Sequence, residues 1–301
     1  MDPMLPLHPL HSVLPLDEPF TPAMARAVGI SRVVLDRLLR EGLVRRMLRG
    51  VYLPSVACES IGVRAAAVGL AIGASHGVVV DRTAAWVHGA LAQDDLAPIE
   101  LLRPPRSARS SLGGRRGLVA RDLEVIGPVR LTTPLRTALD VGRLLPAGDA
   151  LAVMDVLFAG GSFTHAALLA ELSRFNGHTG VAQLRSLAAQ VDPRPVCPAE
   201  SLLRLHWNAA RLPTPVPGMP VAAGSRLVRL SLGVGLRQFG AVLAHQVSAA
   251  DLLALEGAGW RVVVLPQERL LSTDPAIWTR HLEREFHQHL LGQVKDEEEV
   301  G

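Results

Sequence analysis

The chain has 301 residues, enough for two or three domains, and 49% of them are apolar, so sizeable cores can form. A charged fraction of 20% and a net charge of +3 exclude a chain that is disordered throughout. The longest convincing apolar stretch, residues 65–80, is interrupted by glycines and a histidine and is too short to cross a membrane. We therefore predict a multidomain protein without a membrane partner.

Lys295 is the only lysine, and the remaining basic residues are all arginine. Arginine keeps its charge and binds phosphate through two nitrogens, but a GC-rich genome also favours arginine, so only its clustering is informative. The two cysteines, Cys58 and Cys197, lie too far apart in sequence for a metal motif or a disulfide framework. These features predict a cytoplasmic protein without a metal or a cofactor.

Residues 1–18 are rich in proline and predict a flexible leader. Residues 19–57 begin with a short helix from Pro22 to Val28, which is followed by a turn. A second helix follows, with Ser31 as its N-cap and apolar residues three and four positions apart. Residues 43–52 predict two strands around a basic turn. Helix, turn, helix and ribbon in this order indicate a winged helix-turn-helix.

Basic residues cluster in this segment with few acids between them. The first turn of the second helix is where a recognition helix touches base edges, and the ribbon is where a wing meets the DNA backbone. The alternative is an ordinary helix pair with solvated arginines. The predicted DNA-binding residues are Ser31, Arg32, Arg37, Arg40, Arg45, Arg46 and Arg49.

A second basic run lies in a loop rich in serine and glycine. Such a loop could close over phosphates and add salt-dependent affinity, or it could be an ordinary solvated surface loop. Its predicted DNA-binding residues are Arg106, Arg109, Arg115 and Arg116.

Residues 58–192 alternate helices and strands and predict a mixed α/β middle domain. It includes a hairpin around Gly127-Pro128 and a helix over 165–175. Arg136 and Asp140 are four residues apart and predict an ion pair on one helix face. His88 is expected to be a buried histidine with its hydrogen bonds satisfied.

Residues 192–195 contain two prolines and predict a domain boundary. Residues 196–292 then predict an α/β domain, with a proline-rich connector from 213 to 220 and a terminal helix from Ile277 to Leu291. An acidic tail at 293–301 is expected to be frayed.

Three segments resemble the AbiEi-type antitoxin family of bacterial regulators: GISRVVLDRLLREGLVRRMLRGVY (29–52), HGVVVDRTAAWVHG (76–89) with VRLTTPLRTALDVGRLLP (129–146), and DPRPVCPAESLLRLHW (192–207). The resemblance implies a repressor-like antitoxin of a type IV toxin-antitoxin system. It also implies a nucleotidyltransferase-like toxin as a partner, and it brings no catalytic residue.

The C-terminal domain resembles very-short-patch-repair endonucleases of the PD-(D/E)XK kind. In that family a helix glutamate precedes a strand aspartate, a strand with paired acids and a Gly-Trp-Arg-Val strand. This chain keeps Glu200 and residues 259–262, but Ser231 replaces the aspartate, and Val242 and Ala244 replace the paired acids. Mg²⁺ needs several oxygen ligands, so we expect an inactive domain. Glu200 could also simply favour the dipole of its helix.

The predicted fold is α+β multidomain, with an N-terminal winged helix-turn-helix, a mixed α/β middle domain and a C-terminal restriction-endonuclease-like α/β domain that lacks its acids. The first functional hypothesis is a DNA-binding transcriptional regulator that acts as an antitoxin and represses its own promoter on double-stranded DNA. The second is a DNA endonuclease with non-standard metal ligands. The third is a protein-interaction module that binds a toxin or another partner.

Overall fold

A computed structural model describes residues 16–73, 77–90, 98–102, 117–272 and 274–300, in two compact units, 1–141 and 142–301. The predicted leader is described only from residue 16 onwards. The predicted middle domain, 58–192, contributes residues to both units. Within the described part of the chain, no helix is long and apolar enough to cross a membrane.

The helices and strands are given below in chain order; the described residues also form one 3₁₀ turn before residue 141 and three after it. The first unit contains α1 (Pro22–Ala27), α2 (Arg32–Arg40), β1 (Val44–Leu48), β2 (Val51–Pro54), α3 (Ile61–Ile72), β3 (Val78–Val79), α4 (Asp81–Val87), β4 (Leu101–Leu102), β5 (Leu123–Ile126) and β6 (Val129–Thr132). Helix α5 (Pro134–Leu144) crosses the division. The second unit contains α6 (Ala147–Ala159), α7 (His165–Glu171), α8 (Val181–Ala188), α9 (Pro198–Ala209), β7 (Val216–Ala223), β8 (Arg226–Val234), β9 (Phe239–Leu243), α10 (Ala249–Gly257), β10 (Arg261–Leu265), α11 (Gln267–Ser272) and α12 (Pro275–Val300).

The N-terminal helices begin where the sequence predicts. Thr21 and Ser31 are the N-caps of α1 and α2, and each side-chain oxygen accepts a hydrogen bond from a backbone N–H three residues on. Gly29 lies between the helices at φ +87°, a conformation that costs a glycine little. The predicted helix-turn-helix therefore forms, and its helices share a small core.

The ribbon of β1 and β2 packs on both faces. Its antiparallel register pairs Arg46 with Tyr52, and Phe20 extends the ribbon because its backbone pairs with that of Tyr52. Val44 and Tyr52 join the core under α1 and α2, whereas Met47 and other ribbon residues join a second core with α3 and β6. The wing is thus held between two layers, and little of it beyond its turn extends into solvent.

A four-stranded mixed sheet completes the first unit, with the strands in the order β4-β3-β6-β5. The predicted hairpin around Gly127-Pro128 is confirmed, since Ile126 pairs with Val129. Strand β3 lies parallel to β6, a pairing across about 50 residues that local sequence patterns do not specify.

The second unit combines helices with a four-stranded sheet in the order β10-β9-β8-β7. Strands β7, β8 and β9 are antiparallel neighbours, and β10 returns parallel to β9 after α10. One face of this sheet forms a core with α9, α11 and α12, in which Trp207 and Phe239 pack together.

Several sequence predictions for the second unit were wrong in detail. The predicted proline connector is in part strand β7, which tolerates Pro217 and Pro220 because an edge strand needs hydrogen bonds on one side only. The helix predicted over 165–175 changes to 3₁₀ geometry at Leu172. The terminal helix continues to Val300, so most of the predicted frayed tail is helical. Helix α11 had not been predicted.

Candidate nucleic-acid interface

Helix α2 has one buried face and one charged, exposed face. Leu35 and Leu38 are buried in the helix-turn-helix core. Residues at the opposite positions of a 3.6-residue turn point to solvent. This exposed face is formed by Arg32, Val33, Asp36, Arg37 and Arg40.

The N-terminus of α2 is exposed and carries no acid in its first turn. Ser31 accepts a hydrogen bond from the amide of Val34 at 3.4 Å. The remaining amides of the first turn and the positive end of the helix dipole favour an anion, and Arg32 adds a full positive charge there. Ser31 therefore caps the helix and also stands at the end suited to phosphate.

Arg37 forms an ion pair with Glu41, the C-cap residue of its own helix. Its Nε donates to Oε1 of Glu41 at 2.6 Å, and this hydrogen bond, followed by the Glu41 charge, raises the pKa of Arg37. The pair is exposed, so solvent screens it and the arginine can change partner at little cost.

Arg45 differs from the other predicted contacts because it is half-buried and paired within the protein. Its Nη1 donates to Glu59 at 2.5 Å, and Arg64 donates to the same carboxylate at 2.8 Å. Burial disfavours the charged carboxylate, but the hydrogen bonds from both arginines outweigh it and lower the pKa of Glu59. Arg45 thus joins the ribbon to the start of α3. No local sequence pattern indicates that Glu59 would reach Arg45.

Arg46 and Arg49 are the exposed cations of the ribbon. The guanidinium of Arg46 lies 5.8 Å from the ring centroid of Tyr52, which orients it by a cation–π contact. Arg49 precedes Gly50 in the turn between the strands, where Gly50 adopts φ +77°. The turn therefore presents Arg49 at the tip of the wing.

The second predicted basic run lies outside the described residues. This applies to Arg106, Arg109, Arg115 and Arg116, which therefore remain sequence predictions.

Arg136, in the first unit, is buried in ion pairs. Arg136, of which 1% is exposed, donates to Asp140 at 2.8 Å and to Asp122 at 3.0 Å. The predicted pair of Arg136 with Asp140 is confirmed, and Asp122 is an additional partner. The side chain of His88 is buried as expected, and its Nε2 donates a hydrogen bond to the carbonyl oxygen of Thr132 at 2.8 Å.

Glu200, the residue compared above with the helix glutamate of a nuclease, lies in α9, and only 1% of it is exposed. Its two oxygens accept hydrogen bonds from Arg229 of β8 at 2.6 and 2.9 Å. Burial disfavours its charge, but these bonds, the amide of Val196 and the Arg229 charge together lower its pKa. The carboxylate is thus already neutralised by a guanidinium.

The neighbouring positions offer no further carboxylate. Ser231 is buried and donates to Oε1 of Gln246 at 2.9 Å, and the next residue, Leu232, pairs with Ala241 of β9. Across the described part of the chain, no three His, Cys, Asp or Glu side chains come together as metal ligands. The residues around Glu200 therefore do not fit a Mg²⁺ ion.

Comparison with known proteins adds one result for the first unit. No curated protein matches the chain. The segment 17–55, which contains α1, α2 and the ribbon, is similar to the family described as "Transcriptional regulator, AbiEi antitoxin".

Proposed function

We propose that this protein is a DNA-binding transcriptional regulator, and that α2 enters the major groove while the turn of the ribbon contacts the backbone. One observation carries this proposal. The segment that is similar to a regulator family, 17–55, is also the segment that exposes the capped N-terminus of α2, its arginines and Arg49. Cations on a helix followed by a basic ribbon suit the charge and shape of duplex DNA.

The finer function we propose is that of an antitoxin of a type IV system, which acts in the cytoplasm and represses its own promoter. The similarity of residues 17–55 to antitoxin regulators supports this. A nucleotidyltransferase-like toxin would be the partner in such a system. Neither part of this proposal requires a cofactor.

Fluorescence anisotropy with the full-length protein tests DNA binding. The probes are a duplex from directly upstream of its own coding sequence and a shuffled duplex of the same composition. We expect tighter binding to the upstream duplex and a linear fall of log K with log salt concentration. Equal binding to both probes would remove autorepression, and the lack of salt-dependent binding to either would remove the DNA-binding function.

For the second unit we propose a nuclease-like fold without nuclease activity. The order α9-β7-β8-β9-α10-β10 supports this, because it provides the helix for Glu200, the strand for Ser231 and the final strand with Arg261 and Val262 in the order of the nuclease pattern. Arg229 occupies both oxygens of Glu200, so that carboxylate is not available to a metal ion. A single carboxylate would also be too few ligands for Mg²⁺.

Titration calorimetry with Mg²⁺ and Mn²⁺ and a plasmid-nicking assay test the loss of activity. We expect neither metal binding nor nicking above the level of the Glu200→Ala variant. Nicking that needs a metal and disappears in Glu200→Ala would establish an active nuclease instead.

A further inference from the structure

The exposed face of α2 contains an apolar side chain at its centre. Val33 is 77% exposed, and its direction from the helix axis lies opposite the buried Leu35 and Leu38. Burying a valine in the core stabilises a fold, whereas an exposed valine adds no stabilisation from burial. The fold therefore does not explain Val33.

The neighbours of Val33 indicate which part of DNA would contact this side chain. Arg37 and Arg40 follow at four and seven residues on the same face, and Asp36 lies beside them. The arginines provide charge for phosphates on either side. A valine and a carboxylate at the centre would be unsuited to phosphate, because one is apolar and the other repels it. The centre of the face is instead suited to base edges.

One base carries an apolar group on its major-groove edge. Thymine carries a 5-methyl group there, and small apolar side chains contact it, whereas the other bases present polar atoms. The charge of the surrounding arginines complements duplex DNA and not an apolar protein surface.

We infer that Val33 is a specificity-determining residue that recognises the 5-methyl group of a thymine in the operator. This inference rests on the proposed DNA-binding function and adds to it one feature of the preferred sequence. Asp36, next to it, would accept a hydrogen bond from the amino group of a cytosine or repel a phosphate, and either effect keeps the centre of α2 over bases.

The test begins with selection of preferred sites from a pool of randomised duplexes by the full-length protein. Each thymine of the selected site is then replaced singly by deoxyuridine, which keeps base pairing and removes only the 5-methyl group. We expect at least one thymine of the selected site at which this change weakens binding about fourfold, the effect of about one buried methyl group.

Two variants assign the effect to Val33. Val33→Ala removes both γ-methyl groups and should bind thymine and deoxyuridine at that position with a smaller difference in affinity than the wild type. Val56→Ala is a matched control, because Val56 is also 77% exposed but follows the ribbon and lies outside α2. This control should keep the wild-type preference for thymine.

The outcomes separate this inference from the function on which it rests. The inference fails if no thymine is sensitive, if Val33→Ala keeps the same sensitivity, or if the protein binds DNA in a salt-dependent way but selects no sequence. Only the lack of salt-dependent DNA binding altogether would overturn the proposed function as well.

Discussion

Arginine has opposite surroundings in two parts of this protein. On α2 and the ribbon turn, Arg32, Arg40 and Arg49 are exposed. In the interior, Arg136 lies between Asp122 and Asp140, and Arg204 of α9 donates to the buried Asp155 of α6 at 2.5 Å.

The difference shows that arginine content alone says little about nucleic acid binding. A buried arginine that is paired with carboxylates has its charge compensated, and removing it leaves uncompensated charge in the interior. An exposed arginine with a screened charge contributes little to stability but can bind phosphate. We expect variants of the two groups to affect different measurements.

The largest effect should come from Arg136→Met. It leaves Asp122 and Asp140 buried without their cation, and we expect a loss of about 3–5 kcal/mol in the free energy of unfolding, measured with urea. Arg130→Met changes an exposed arginine on β6 and should cost under about 0.5 kcal/mol. Equal losses in the two variants would contradict the assigned role of burial.

The next largest effect should come from Arg46→Ala combined with Arg49→Ala. DNA affinity should fall roughly 30-fold, at about 1 kcal/mol for each exposed contact, and the slope of log K against log salt should decrease by roughly 0.9 per contact. Fluorescence anisotropy measures both values.

A double variant of Arg130 and Arg185 to alanine is its charge-matched control, since both residues are exposed and lie outside residues 17–55. An unchanged slope in the ribbon variant, or an equal change in the control, would remove the ribbon from the interface. Arg45→Ala should change the slope less than Arg49→Ala because Glu59 already pairs with Arg45.

A smaller effect, dependent on pH, is expected for Glu200→Gln. The folded-state pKa of Glu200 is lowered, so its contribution to stability is present above the ordinary glutamate pKa and is lost as the pH falls through the folded-state value. At neutral pH the variant should be about 1.5 kcal/mol less stable than the wild type, an amount reduced by the partial exposure of Arg229.

Urea unfolding over a pH series checks this expectation, and the difference between the two proteins should shrink in acid. The exposed Glu256 provides the control, because Glu256→Gln should behave like the wild type throughout. A difference that stays constant with pH would show that the charge of Glu200 does not stabilise the fold.

The smallest effect concerns the N-cap of α2. Ser31→Ala should cost about 1 kcal/mol because the cap to Val34 is lost. Ser31→Asp should retain the cap and the stability, but its negative charge at the end suited to phosphate should weaken DNA binding. Thermal unfolding and anisotropy measure the two properties, and a Ser31→Asp variant with undiminished DNA affinity would move the phosphate contact away from this helix end.

The local elements could be predicted because their signals lie within a few residues. Thr21 and Ser31 set the starts of α1 and α2, and the spacing of apolar residues set the buried face of α2. The spacing of Arg136 and Asp140 likewise predicted their pair. Strand β7 was missed because its prolines are tolerated only at the edge of a sheet, and a sequence pattern does not show which strand will be at the edge.

The sequence by itself determined the order of the helices and the ribbon, the clustering of arginines near the N-terminus and the loss of acids between Ser201 and Ala250. Tertiary structure alone decided that Glu59 pairs with Arg45 and that Arg229 neutralises Glu200. Helix periods and capping act over a few residues, so they can be read along the chain. Whether a charge is neutralised or stays exposed depends on groups that are distant in sequence and that only folding brings near.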